Sequence, residues 1–391
     1  MRKMIEKIKK SKAGEIFFKA LGFRILCALL SLIIFLLFND HHETVSFADF
    51  LSSFVRWDGS HYLNLARNGY INAVEDGKHL FLVFYPLYPW LIRVLQFLIH
   101  NYELAGIIVS FLCYAAGCCF FYFLMEQEYG EWAAVNAVTL ISVFPFGFYF
   151  GMIMTESLYF LVAGAFFYYA RKHKWGLVAV WGILACLTKV QAVLLFLVAF
   201  TEICYCEKPI LLIKERKIAD IWKRCICPLL LTAIMFAGTF IYLGINYYVE
   251  GDPFQFMYYQ RTHWGNALCF MPQTLKYIFL YVKNEWFTSV SMAIWIPELF
   301  LFFFYIVNII YGFLKKMRIT YLVYLICFFV LTYSSTWLIS GGRYTLSALP
   351  VFMIGGQWVS RHEKAGRVIY FVSTALFMVY FIGNFMWKQV M

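Results

Sequence analysis

Hydrophobic residues in this chain come in long unbroken runs rather than in alternation, and short polar or charged interruptions close each run. Runs of this length read as helices, because a buried strand uses only roughly 4–8 residues. The pattern predicts spans at about 23–38, 104–125, 132–150, 157–170, 175–187, 190–206, 225–249, 291–314, 320–338, 346–360 and 366–387. Several are shorter than the roughly 20 residues of a full crossing. Short or broken helices are tolerated at membrane depth where they line a protein-enclosed cavity. The reading is therefore an all-α polytopic membrane protein with about 11 (10–13) transmembrane helices. Residues 1–391 read as a single integral-membrane domain, with long loops at about 39–103 and 250–290. No soluble domain, low-complexity tract or internal repeat stands out.

One segment decides which loops share a side. Leu80 to His100 is apolar but contains Pro86, Pro89 and Arg93. If it does not cross, 23 of the 33 lysines and arginines fall on the N-terminal side; if it crosses, only 14 do. Positive charge marks the cytoplasmic side, so this segment is expected to lie along the outer interface. Met1 to Lys19 is then a basic, amphipathic cytoplasmic segment that leads into an uncleaved first span. The outer side collects Asp58, His61, Glu75, Asp76, Glu156, Lys189, Gln191, Arg261, His263 and Arg343. Polar residues of individual character thus gather on one face, as a single extracytoplasmic cavity requires.

Composition agrees with the pattern. The chain is 62% hydrophobic, 21% aromatic and only 14% charged, which no soluble fold of this size could bury. The net charge of +11 sits in the loops, where it sets orientation and does not suggest a nucleic-acid partner. The 11 cysteines lie mostly inside apolar runs, without metal or disulfide spacing, and read as small core residues.

The interruptions carry the candidate chemistry. Arg56-Trp57-Asp58-Gly59-Ser60-His61-Tyr62 follows the first span, with Gly69-Tyr70 behind it. An aspartate between Trp57 and Tyr62 at a membrane boundary is partly desolvated, which favours a base. On a short helix Asp58, His61 and Tyr62 share one face. Asp58 reads equally as a helix N-cap. His61 is a base, a partner of Asp58 or a metal ligand with Asp58 and Glu156, whereas His41 and His42 read as solvated. Thr155-Glu156-Ser157 places an acid at membrane depth, a functional candidate by default, with helix capping as the plain alternative. Lys189 and Arg343 stand in separate short breaks and suggest an anion such as phosphate held between helices. Snorkelling anchors are the alternative for both. Phe84-Tyr85-Pro86-Leu87-Tyr88-Pro89 is a rigid aromatic wall or an interface belt. Gln260 to Gly265, with His263, is a cover for the cavity or an ordinary loop.

Taken together, Arg56-Trp57-Asp58 with Tyr62 and Gly69-Tyr70, then Phe84 to Pro89, Thr155 to Leu158 after Pro145, and Arg343 before Pro350, resemble the PIG-V-like mannosyltransferases among the GT-C glycosyltransferases. The resemblance spans most of the chain. It implies a GT-C bundle with interfacial helices in the first outer loop and a functional acid there, which falls on Asp58. Two departures stand out: Glu75 and Asp76 lie about ten residues upstream of the proline motif, and Lys189 stands where arginine is common.

The chemistry implied is an inverting transfer of a hexose, mannose first, from a polyprenyl-phosphate donor to a glycolipid, glycan or protein acceptor on the extracytoplasmic face. Asp58 would act as base, with Glu156 and His61 as further catalytic candidates. Arg343, Lys189, Arg56, Trp57, Tyr62, Tyr85, Tyr88, Gln191 and His263 would bind substrate. The reaction needs no cofactor, and a divalent cation is compatible with it. The expected setting is a bacterial plasma membrane, or the endoplasmic reticulum in a eukaryote. The competing class is a flippase or transporter of lipid-linked sugars, which should show inverted repeats.

Overall fold

The computed structural model describes residues 2–38, 46–386 and 390. His41 and His42 lie outside these residues. The chain is helical, and the β-type pairings among the described residues are two isolated bridges, Glu75 with Lys78 and Leu268 with Ser335. Among the described residues, six helical stretches are long and apolar enough to cross a membrane: Ser11–Phe38, Tyr102–Tyr129, Val190–Glu207, Ile218–Glu250, Ser291–Leu314 and Glu363–Phe385. Leu87–Ile99, Trp175–Cys186 and Ile319–Thr332 are shorter apolar helices. Large side chains such as Phe240, Phe303, Val307 and Phe371 stand exposed on the long helices. Only lipid makes that surface stable, and the chain is an integral membrane protein.

Most predicted spans coincide with helices, and the exceptions have local causes. The expected 132–150 span ends at Ser142 and gives way to a buried 3-10 turn at Gly147–Gly151. Pro145 lacks the N–H a helix needs and disfavours helical backbone at Phe144. The 346–360 span is the Leu349–Arg361 helix, with Pro350 in its first turn, and a short separate helix, Gly341–Thr345, precedes it. Leu80 to His100 forms a 3-10 turn, Leu80–Val83, and a 13-residue helix, Leu87–Ile99. At 1.5 Å per residue that helix is about 20 Å long, short of the roughly 30 Å apolar core. It buries Tyr88, Pro89 and Ile92 and exposes Val94, Phe97 and Leu98, as an interfacial helix does.

The chain forms two compact units, each built from separated segments. The first gathers Met1–Arg67, Tyr88–Leu161 and Gly355–Val390. Within it the Tyr102–Tyr129 helix packs against both Arg2–Phe38 and Glu131–Ser142, and Glu363–Phe385 packs on Arg2–Phe38. Gly356 settles on the small face formed by Ala133 and Ala137, the close approach that small residues allow when dispersion rather than water drives packing. Arg24 is fully buried here, with Nη1 3.0 Å from the Gly147 carbonyl and its guanidinium 3.9 Å from the centre of the Tyr114 ring. The second unit gathers Asn68–Leu87 and Val162–Ile354. Its helix pairs are Val190–Glu207 with Ile319–Thr332 and Trp175–Cys186 with Phe236–Glu250.

Candidate active site

In the first unit, the turn that carries Asp58 packs against the segment that leads to Glu156. Asp58 stands directly before the Gly59–Asn72 helix, and its carbonyl accepts the N–H groups of His61 and Tyr62 at 3.1 Å each. It therefore occupies the N-cap position that its sequence context allows. Trp57 is held at φ 48, the left-handed region that a bulky residue adopts only under constraint. The constraint is visible, since its indole Nε1 donates to the Val390 carbonyl at 2.8 Å, and the Tyr149 hydroxyl donates to the same oxygen at 2.7 Å. The extended segment leading to Glu156 runs past this turn. Ile153 donates its N–H to the Phe54 carbonyl at 3.3 Å, and Gly59 lies against the Ile153 carbonyl. Glu156 opens the Glu156–Arg171 helix and is only 2% exposed. The helix N-terminus favours its negative charge, and Ser157 caps back to the Phe150 carbonyl at 2.6 Å.

The neighbours of these acids are placed as follows. Asp58, His61 and Trp57 are half-buried, and Arg56 is 8% exposed. Burial holds the Arg56 guanidinium below its usual pKa. Tyr62 is buried edge-on to Tyr88, with ring centres 5.4 Å apart. Tyr88 is fully buried, and its hydroxyl is engaged with Ser110 Oγ at 2.7 Å and the Gly106 carbonyl at 3.1 Å. Ser110 in turn donates to the Met152 carbonyl at 2.8 Å. Tyr88 thus supports the wall on which the Met152 to Glu156 segment rests.

The second unit holds Lys189 and Arg343. Leu87 donates its N–H to the Leu187 carbonyl at 3.0 Å, which ties the proline motif to the turn carrying Lys189. Lys189 is half-buried in extended backbone ahead of the Val190–Leu194 turn, where Gln191 also sits. Tyr85 stacks on Tyr242 at 4.0 Å, and the Tyr242 hydroxyl donates to the Leu82 carbonyl at 2.6 Å. Tyr85, Lys189 and Gln191 therefore share one neighbourhood. Arg343 is half-buried in the Gly341–Thr345 helix, over the Tyr344 ring. His263 is exposed beside Trp264, which packs edge-on against Phe84. The loop after Trp264 is laced to the segment that leads to Arg343, with the Cys269 N–H donating to the Ser334 carbonyl at 3.0 Å and the Thr336 N–H to the Ala267 carbonyl at 2.9 Å.

Gly69-Tyr70 has a structural part. Gly69 adopts φ 69, ψ 178, a backbone essentially reserved for glycine, and kinks the helix there. The Tyr70 hydroxyl then donates to the Phe84 carbonyl at 2.6 Å, joining the two motifs.

Two buried acids were not singled out from the sequence, although each interrupts an apolar run and is marked by that alone. Glu202 has a side chain with 0% exposure and receives two hydrogen bonds from Arg318 at 2.8 Å each, one from Arg171 at 3.1 Å and one from Thr320 at 2.9 Å. With His173 and Cys206 it has metal-like spacing. Two guanidinium groups already saturate the carboxylate and repel a cation, so the cluster is an ion-pair network. Glu298 is 1% exposed and accepts the N–H of Gly341, two residues before Arg343.

Comparison with known proteins supports the fold. The family model described as dolichyl-phosphate-mannose-protein mannosyltransferase matches residues 85–242. That is less than half of the chain, and it takes in Tyr85, Glu156 and Lys189 but neither Asp58 nor Arg343. No curated protein sequence matches significantly. ArnT from Cupriavidus metallidurans bound to undecaprenyl phosphate is 14% identical, with 93% of this chain and 64% of that one covered and a TM-score of 0.53. The apo structure of ArnT from the same organism is 12% identical over the same shares, with a TM-score of 0.51. The apo oligosaccharyltransferase of Archaeoglobus fulgidus is 12% identical over 95% of this chain and 56% of that one, at a TM-score of 0.48. The chain spans 64% of the length of the ArnT chain. The fold is similar to that of the ArnT structures.

Proposed function

We propose that this protein is a glycosyltransferase that moves a hexose, most simply mannose, from a polyprenyl-phosphate donor to a glycolipid or other envelope acceptor on the extracytoplasmic face. The observation that carries the reading is the backbone bond from Ile153 to Phe54, which sets the Asp58 turn beside the segment ending in Glu156. Two acids so placed in an apolar bundle suit activation of a hydroxyl. Asp58 takes the proton of the acceptor hydroxyl as its oxygen attacks the anomeric carbon, with inversion. The bond to the phosphate oxygen breaks, and lipid phosphate leaves. Arg343, with Lys189, holds that phosphate and stabilises the charge it gains. Glu156 orients the sugar or acceptor, and Tyr85 and Gln191 are further substrate-binding residues. The undecaprenyl phosphate bound to ArnT supports a polyprenyl-phosphate donor. The choice of mannose follows the PIG-V-like motifs and the partial family match. The distribution of lysine and arginine supports the extracytoplasmic side.

The test is transfer from radiolabelled polyprenyl-phosphate-mannose by the purified protein in lipid, with membrane extract as acceptor. Wild type should transfer label and Asp58→Ala should not, while donor binding persists in both. Transfer that survives in Asp58→Ala moves the base to Glu156 or His61. Label that crosses the bilayer without transfer would replace the enzyme reading with a flippase. No cofactor is proposed, and a parallel arm with a chelator asks whether a divalent cation shared by Asp58 and Glu156 takes part.

A further inference from the structure

Glu298 lies at membrane depth in the Ser291–Leu314 helix and is almost wholly buried. Its position is set from three directions. A π-helical turn, Ser291–Trp295, widens the helix just ahead of it, and Pro297 precedes it. The Tyr333 hydroxyl donates to the Glu298 backbone carbonyl at 2.9 Å. Its Oε1 accepts the N–H of Gly341, while Oε2 is buried with no hydrogen-bond partner among the described residues. A Cβ at Gly341 would collide with this carboxylate, so only glycine lets the turn come so close. The same turn is closed by Thr345 Oγ1 donating to the Gly341 carbonyl at 2.8 Å and Tyr344 N–H donating to Ser340 at 2.9 Å.

A buried carboxylate is costly, and one bound on only one oxygen is not kept for stability. Its visible action is on the first residue of the Gly341-Gly342-Arg343 turn. We propose that Glu298 is a positioning residue that fixes this turn and thereby aims Arg343 at the donor phosphate. The proposal rests on the reading of Arg343 as a phosphate ligand.

The test measures binding of a short-chain polyprenyl phosphate to the full-length protein in nanodiscs, for wild type, Arg343→Ala, Glu298→Gln, Glu298→Met and the Arg343→Ala/Glu298→Met double variant. Glutamine keeps an acceptor for Gly341 and should bind as wild type does. Methionine keeps length without a buried charge, so the protein should fold, yet it loses the acceptor. It should weaken binding by about tenfold or more, the scale of a misplaced ligand group. In the Arg343→Ala background it should add nothing, because the two act through one contact. Additive losses overturn the proposal, as does a Glu298→Gln variant as weak as Glu298→Met. If Glu298→Met does not fold, glutamine still decides: wild-type binding together with wild-type donor KM supports positioning, and a drop in either defeats it. If Arg343→Ala binds normally, the phosphate role of Arg343 falls and this proposal with it. Additive losses alongside a weak Arg343→Ala leave that role standing and remove only Glu298.

Discussion

The imidazole Nδ1 of His79 lies 2.8 Å from the Glu250 carboxylate, and its Nε2 faces the Ile71 carbonyl at 3.1 Å. Both neighbours are acceptors. Tyr259 donates to the same Glu250 oxygen at 2.7 Å. The cluster ties the first long loop to the end of the Phe236–Glu250 helix and to the Gln255–Thr262 helix. His79→Ala should loosen the loop by about 1 to 2 kcal/mol, on the order of tenfold faster amide exchange. Hydrogen–deuterium exchange over 71–84 and 255–262 checks this. Unchanged exchange would mean that the Tyr70 and Tyr242 hydroxyls hold the loop without it.

Asp58→Asn keeps the size of the side chain and removes its capacity to take a proton. Loss of a general base lowers turnover by roughly 10² to 10⁴-fold. The expected result is a fall of that order in kcat with donor KM little changed. A change confined to KM would recast Asp58 as a binding group or a helix cap.

The Glu202 network should behave as structure. Glu202→Ala leaves the Arg171 and Arg318 guanidinium groups half-buried without their carboxylate, and removal of one partner of a buried pair costs about 3–5 kcal/mol. We expect a lower unfolding temperature in detergent and no response of the wild type to zinc or chelator. Stabilisation by added zinc would instead favour a metal at His173, Glu202 and Cys206.

Gly69→Ala tests the second half of the sequence motif. The Gly69 backbone at φ 69, ψ 178 is strained for any other residue, at about 1–3 kcal/mol. The variant should lose stability, while activity per folded molecule stays near wild type. Activity that falls without a stability loss would assign the glycine to the site instead.

Much of the architecture was legible in the sequence because the bilayer imposes a simple rule: an apolar run must satisfy its own backbone, and so it becomes a helix. That rule located most helices and marked Asp58, Glu156, Lys189 and Arg343 as polar breaks, while the distribution of lysine and arginine kept Leu80 to His100 off the list of spans. What the rule cannot reach are contacts between residues far apart in the chain. The break after Ser142 follows from Pro145, but only the folded chain shows that it carries the segment up to Glu156 past the Asp58 turn. Tyr88 reads as a wall for substrate, whereas packing commits its hydroxyl to Ser110 and Gly106. Glu202 and Glu298 are visible in the sequence as acids in apolar runs. Whether such an acid is locked between two arginines or bound on one oxygen beneath a glycine turn depends on which helices meet, and that is decided by side-chain packing rather than hydropathy.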